Sequence, residues 1–201
     1  MATLRDPKGQ SVSSLYPVHF AQSVNGNIFI GNQLPAGVAP ALWSATTQQC
    51  GLMNPSGSGK NIIPLRLTAT YVSGTGIVNG ICLGYVAGCG AGVTAGGVTA
   101  ATTITPVPSK LGSTAAKGIF MSAGITCTAP VRLMNTGICT EVGATTAAVA
   151  GTQLQYDFDG IVVVPPTYAI TVGADITGIT AVYSFTLIWA EVPEGIDSLG
   201  W

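Results

Sequence analysis

Charged side chains are scarce in this sequence of 201 residues: Asp, Glu, Lys and Arg make up 7% of it, against about 25% in an ordinary soluble domain. So few charges cannot coat the free surface of a monomer in the usual way. Thr, Ser, Gly and Ala must form most of that surface, or partners must cover much of it. The seven basic residues are scattered. They cannot build a stripe that neutralises several phosphates, which argues against nucleic-acid binding. Histidine occurs once, as His19, so any Ser-His-Asp or Cys-His mechanism would have to use it. Lying between Val18 and Phe20 in an extended-looking segment, it reads as an ordinary strand residue.

Other absences narrow the class further. Cys50, Cys82, Cys89, Cys127 and Cys139 include no CxxC pair, so the common zinc spacings are missing. Small buried thiols in a protein made in a reducing cytosol are the simpler reading. Mean hydropathy is +0.50, yet no apolar run reaches the roughly 20 residues that cross a bilayer as a helix. No membrane association is expected. The opening MATLRDPKGQ has no apolar core of a secretory signal. Helix signals are nearly absent, because no segment joins caps, an i/i+3/i+4 stripe and strong formers.

What the sequence does hold is alternation. Gly178–Val192 alternates for a dozen residues before Pro193. In it Tyr183, Phe185, Leu187 and Trp189 would share one face, and Val182, Ser184, Thr186, Ile188 and Ala190 the other. Tyr168–Val172 and Ile161–Val164, stopped by Pro165-Pro166, precede it as strands. Ile62–Ser73 reads as a long strand with Ile63, Leu65, Leu67, Ala69 and Tyr71 on one face, and Pro64 fits best at an edge or bulge. Gly74-Thr75-Gly76 would turn it into Ile77–Val86 as a hairpin. Tyr16–Val24 and Ile28–Ile30 would form another around Asn25-Gly26. Ala41–Cys50, Ile119–Met121, Ile125–Met134 and Ile138–Val142 are further short strands, and Gln153–Phe158 leads into the closing ones. Residues 87–118, rich in Ala, Gly and Thr, read as a long insertion with one strand near Val98–Thr105.

About ten to twelve strands with frequent Gly and Pro point to an all-β sandwich, with a jelly roll favoured over an immunoglobulin-like domain. The expected organisation is an N-terminal arm over 1–15, a sandwich over 16–193 and a C-terminal arm over 194–201.

Candidate chemistry is thin. Gly57-Ser58-Gly59-Lys60 looks like the end of a phosphate-binding loop, but Asn54 and Asn61 stand where that loop needs Gly and Ser/Thr, and a strand follows it. A polar turn is the better account. Asp157 and Asp159, if extended, would share a face and could hold Ca²⁺ weakly or serve a glycosidase pair; a solvated turn before Gly160 fits better. Glu141 is isolated, and Asp175 sits in a turn-like GADITG. Tyr16, Tyr71, Tyr85, Tyr156, Tyr168, Tyr183, Trp43 and Trp189 could line a sugar-binding face, but most stand within alternation and so belong to a core. Trp201 follows a polar tail with no strand to belong to, so its indole is expected to dock into a neighbour. No catalytic residue, metal or cofactor is expected.

Two stretches carry a resemblance. NPSGSGKNIIPLRLTATYVSG resembles a turn-strand segment of small all-β structural proteins from the virions of tailed bacteriophages. GIVVVPPTYAITVGADITGITAVYSFTLIWAEVP is similar to their final strands. The likeness covers roughly residues 50–86 and 155–193 and leaves the Ala/Gly/Thr-rich middle unmatched. It implies a jelly-roll-like virion protein on the capsid surface, a homotrimer of the decoration or cement type that binds the major capsid protein. Glu194, Ile196, Leu199 and Trp201 of one arm, and Leu4 and Arg5 of the other, are then the expected partner contacts. A head fibre, vertex spike or tail protein is the alternative within that class. A carbohydrate-binding module or glycosidase, resting on Asp157, Asp159 and the tyrosines, is the alternative outside it.

Overall fold

The computed structural model describes residues 4–5, 11–12, 22–74, 79–94, 96–140, 153–175 and 180–195. These residues build fourteen strands: β1 Leu4–Arg5, β2 Ser11–Val12, β3 Ile28–Asn32, β4 Thr47–Gln48, β5 Gly51–Asn54, β6 Lys60–Ser73, β7 Asn79–Ala87, β8 Val98–Ile104, β9 Val107–Pro108, β10 Ile119–Cys127, β11 Val131–Thr140, β12 Gln153–Asp157, β13 Tyr168–Ala174 and β14 Val182–Pro193. β1 and β2 pair only with each other, so the expected irregular lead-in contains a small two-stranded ladder. The rest form two antiparallel sheets packed as a sandwich. One has the order β12-β6-β14-β3-β9; the other has the order β11-β7-β13-β5-β10-β4, with β8 added on β10.

The strand order is that of a jelly roll. Taking β3, β5, β6, β7, β11, β12, β13 and β14 as the eight strands, the first pairs with the eighth, the second with the seventh, the third with the sixth and the fourth with the fifth. A long antiparallel ribbon rolled on itself gives this pattern, and apart from the fourth and fifth strands it leaves consecutive strands such as β6 and β7 in different sheets. The expected hairpin between them is therefore an arch across the sandwich. Alternation identifies a strand, but it carries no information about which neighbour supplies the hydrogen bonds.

The core lies between the sheets. Tyr183, Phe185, Leu187 and Trp189 all point into it, against Leu67, Ala69 and Tyr71 of β6 and Leu52, Ile81, Leu83, Ile170 and Val172 of the facing sheet. β6 does not keep one phase. Its register with β14 shifts between Ile188↔Arg66 and Trp189↔Pro64, so the bulge at Pro64 reverses the alternation. Ile62 is fully buried while Ile63 and Leu65 are only half-buried, which corrects the expected single face. The bulge also places a residue without an N–H where the ladder is already interrupted.

Other expectations change for local reasons. Residues 22–24 are helical, and Asn25-Gly26 caps them: the Gly26 N–H bonds Ser23 O and the Asn27 N–H bonds Gln22 O, which is a Schellman ending rather than a hairpin turn. Within Ala41–Cys50 only Thr47–Gln48 is strand. Ile161–Val163 are irregular, and Val164 makes a single bridge to Ile62. Ile125–Met134 is two strands, β10 and β11, separated at Ala129, which has φ +47°.

The insertion is larger than expected. It runs from the end of β7 to the start of β11 and includes β8, β9 and β10. Many of its apolar residues are turned away from solvent. Cys89, Val98, Met121, Ile125 and Cys127 bury themselves with Met53, Val86 and Ala169 as a second core, on the side of the seven-stranded sheet away from the first. The 41–49 segment covers the same side: the Trp43 N–H bonds Ala174 O, and Gln48 Nε2 donates to the carbonyls of Leu42 and Ala45. This approach requires glycine beneath it. A Cβ on Gly173 would stand 2.7 Å from Trp43 Cα. Gly173→Ala is therefore expected to lower stability by about 1–3 kcal/mol, read as a lower urea midpoint with an unchanged slope. An unaltered midpoint would show that the segment moves away freely.

Candidate functional site

One end of the sandwich differs from the other. The β5–β6 turn, the starts of β3, β10, β11 and β13, and the ends of β7 and β14 converge there, as the pairs Pro193↔Lys60, Tyr168↔Asn54 and Tyr168↔Ala87 fix. Exposed apolar side chains gather at this end: Leu111 and Ile161 are 82% and 68% exposed, Val163 and Val24 52% and 50%. Tyr168 is 37% exposed, with its ring 6.5 Å from that of Tyr85. Leu34 and Val72 are the exposed large apolar residues of the opposite end.

The same end holds the lysines. Among the described residues there are two ion pairs, Arg66 with Asp157 at 2.6 Å and Arg132 with Asp175. Lys60, Lys110 and Lys117 take part in neither. Lys60 and Lys117 line a surface depression of about 330 Å³ that also has Asn27, Phe29, Thr114 and Glu191 in its wall. Lys110 lies in the adjoining turn, which is held down by the Ser109 N–H to Ile28 O and by Ser23 Oγ to Ser109 Oγ at 2.8 Å.

Glu191 is the organising group of this depression. It is two residues beyond Trp189 on β14 and so shares the core-facing side, only 3% exposed. Its Oε1 accepts the N–H of Lys117 at 2.9 Å, of Gly118 at 2.7 Å and of the Trp189 indole at 3.2 Å. Its Oε2 accepts the Lys117 N–H at 2.9 Å. A buried carboxylate is stable only when so compensated. It fastens the insertion, just ahead of β10, to the last strand. Glu191 thus belongs to the interior, unlike Glu194 three residues on.

The expected contact residues fall unevenly. Glu194 is exposed just past β14, and its N–H bonds Gly59 O at 3.1 Å, so the C-terminal segment leaves beside the depression. Leu4 and Arg5 lie on β1. Ile196, Leu199 and Trp201 are outside the described residues, as are Tyr16, His19 and Glu141.

The alternative chemistries fare as follows. The Pro55–Lys60 segment is a turn between sheets followed by a strand, without the helix N-terminus a phosphate site uses. Asp157 is held by Arg66 and accepts from Gln155 Nε2 at 3.0 Å. Asp159 is not extended. With φ +48° beside Gly160 at +78°, and the Ile161 N–H on Phe158 O, it occupies a tight Asp-Gly turn that separates it from Asp157. No group of three His, Cys, Asp or Glu side chains comes together as a metal site among the described residues. Tyr71 and Tyr183 are core residues in edge-to-face contact, and Tyr156 packs edge-on against Phe158.

The thiols of Cys50, Cys82, Cys89 and Cys127 are free and buried. Burial pushes those of Cys89 and Cys127 up to about 11. Burial, with Asp175 adding to it, pushes Cys82 up to about 12, and burial raises Cys50 as well. The ordinary value is 9.0, so between pH 9 and 11 the folded chain keeps protons the unfolded chain has lost. Stability is fully present below pH 9 and falls as pH rises through that window, by about 1.4 kcal/mol per pH unit for each thiol. Denaturation across this range is expected to show the fall, and Cys89→Ala with Cys127→Ala to flatten it. Equal slopes in the two proteins would contradict the assignment.

Removing the carboxylate by Glu191→Ala leaves three donors without an acceptor. Stability is expected to drop by about 2–4 kcal/mol, with new proteolytic cleavage within 109–118 ahead of global unfolding. Cleavage at the wild-type rate would show that the clamp does not hold that segment. Compared with protein-family models, curated proteins and solved structures, the chain matches none.

Proposed function

We propose that this chain is a structural protein of a tailed-bacteriophage virion, a decoration or cement protein that sits as a homotrimer on the major capsid protein and stabilises the shell. The observation that carries the reading is the concentration of adhesive surface at one end of a jelly roll. Leu111, Ile161, Val163 and Tyr168 are exposed there, beside lysines that have no carboxylate partner among the described residues. The other large apolar surface, on the outside of the seven-stranded sheet, is covered by the chain's own insertion. A charge content of 7% fits a molecule whose surface is shared with neighbours. The likeness of residues 50–86 and 155–193 to virion proteins supplies the class.

The work is mechanical. Apolar burial stabilises by roughly 25 cal/mol per Å², and arms that add to a neighbour's sheet contribute main-chain hydrogen bonds. Cement of this kind ties capsomers together against the pressure of packaged DNA.

A second reading, a spike or tail protein that recognises the host, is favoured by the half-exposed Tyr85–Tyr168 pair, since aromatic faces suit sugar or protein recognition. Particles assembled without this chain separate the two. Cement predicts lost resistance to heat and to osmotic shock with normal adsorption. Equal robustness with failed adsorption would transfer the assignment to the spike.

A further inference from the structure

The lysines around the depression call for an anionic partner, and the Phe29 wall and the exposed Leu111 beside it call for an apolar one. This sequence contains a segment with both properties. Glu194–Trp201 reads EGIDSLGW, with two carboxylates interleaved with Ile196, Leu199 and Trp201. We propose that the depression between Lys60 and Lys117 receives the Glu194–Trp201 segment of a second copy of this chain.

Three observations support a second copy as the occupant. First, the charges are complementary: Lys60, Lys110 and Lys117 form no ion pair among the described residues, while the segment is acidic. Second, β14 delivers the segment to the end that bears the depression, because the Glu194 N–H bonds Gly59 O next to Lys60. When arm and receptor share an end, each copy can give and receive around one rotation axis, and the assembly closes. Third, the net charge of the chain is −1, so copies do not repel one another at long range. Glu191 keeps the receptor in shape. By holding the Lys117 and Gly118 amides it fixes the wall opposite Lys60. Its own oxygens are already engaged by N–H donors, which leaves the lysines free of it.

The proposal deepens the oligomeric part of the reading above and is tested in solution, so its failure and a failure of shell binding are read from different experiments. Three proteins are compared by sedimentation: the whole chain, a chain ending at Gly195, and Lys60→Glu with Lys117→Glu. The whole chain is expected to assemble and both variants to stay monomeric. An equimolar mixture of the variants should associate again, since one partner retains the tail and the other the depression. A synthetic EGIDSLGW peptide should bind the shortened chain, with affinity reduced about tenfold or more when both lysines are reversed and weakened by salt. Retention of a cooperative unfolding transition shows that the variants are folded; if the reversal disturbs it, Lys60→Gln with Lys117→Gln takes its place. The proposal is overturned if the shortened chain assembles like the whole one, or if the mixture stays monomeric. It is also overturned if the peptide ignores the lysines. A whole chain that is monomeric while the peptide binds the shortened chain would mean that the segment folds onto its own copy.

Discussion

The pairing of β14 with β6 is the constraint on which the rest depends. It runs from Val182↔Ser73 to Pro193↔Lys60 and forms the centre of the five-stranded sheet. Its inner side carries Trp189, Leu187, Phe185 and Tyr183 against Leu67, Ala69 and Tyr71, nearly all of them fully buried. A one-residue slip would turn that whole set outward. The Pro64 bulge makes a slip harder, because only one register places the missing N–H opposite the interruption. Once this pair is set, β3 and β12 add to its two sides, and the facing sheet closes over it.

The second sheet solves a different problem. Its outer side presents Met53, Val86, Met121 and Ala169, and on a bare sandwich they would form an adhesive patch. The insertion and the 41–49 segment cover it, and small residues such as Gly173 let their backbones approach. The result is a molecule that hides one face with its own chain and leaves stickiness at one end. That asymmetry gives the end its functional interest. Glu191 links the two parts, because it fastens the insertion, just ahead of β10, to the strand whose continuation is the acidic tail.

Much of the fold was legible because period-2 patterns with aromatic and β-branched residues have a single physical solution. The face of β14 could be read directly from Tyr183 to Trp189. Partner choice was not legible. β6 and β7 look like a hairpin, since nothing in their side chains distinguishes a turn within a sheet from an arch between sheets. Bulges were hidden for a related reason: the phase change at Pro64 depends on β14, far away in sequence. Gln33 follows β3 with no periodic pattern around it. Its amide in fact bridges Gln49 O, Ser122 O and the Phe185 N–H across the two sheets, a role set wholly by tertiary surroundings. At the candidate site, the role of Glu191 was not legible, because two of its three donors are backbone amides that leave no trace in residue identity. The lysine cluster was invisible because Lys60, Lys110 and Lys117 meet only after the ribbon has rolled.

The pairing of β3 with β14 has a consequence for how the molecule is made. The first strand of the roll hydrogen-bonds the last, Ile28↔Ala190 among others, so the five-stranded sheet cannot close until nearly the whole domain has left the ribosome. At ordinary synthesis rates that interval is on the order of ten seconds. During it Phe29 and the inner side of β6 have no native cover. Folding that depends on such distant contacts is slow, and the nascent chain is exposed to premature association throughout. Scarce charge, which suits a surface shared with neighbours, removes the electrostatic repulsion that would protect a half-made chain. The wait for the final strand thus bears on yield in the cell, beside the stability of the finished sandwich.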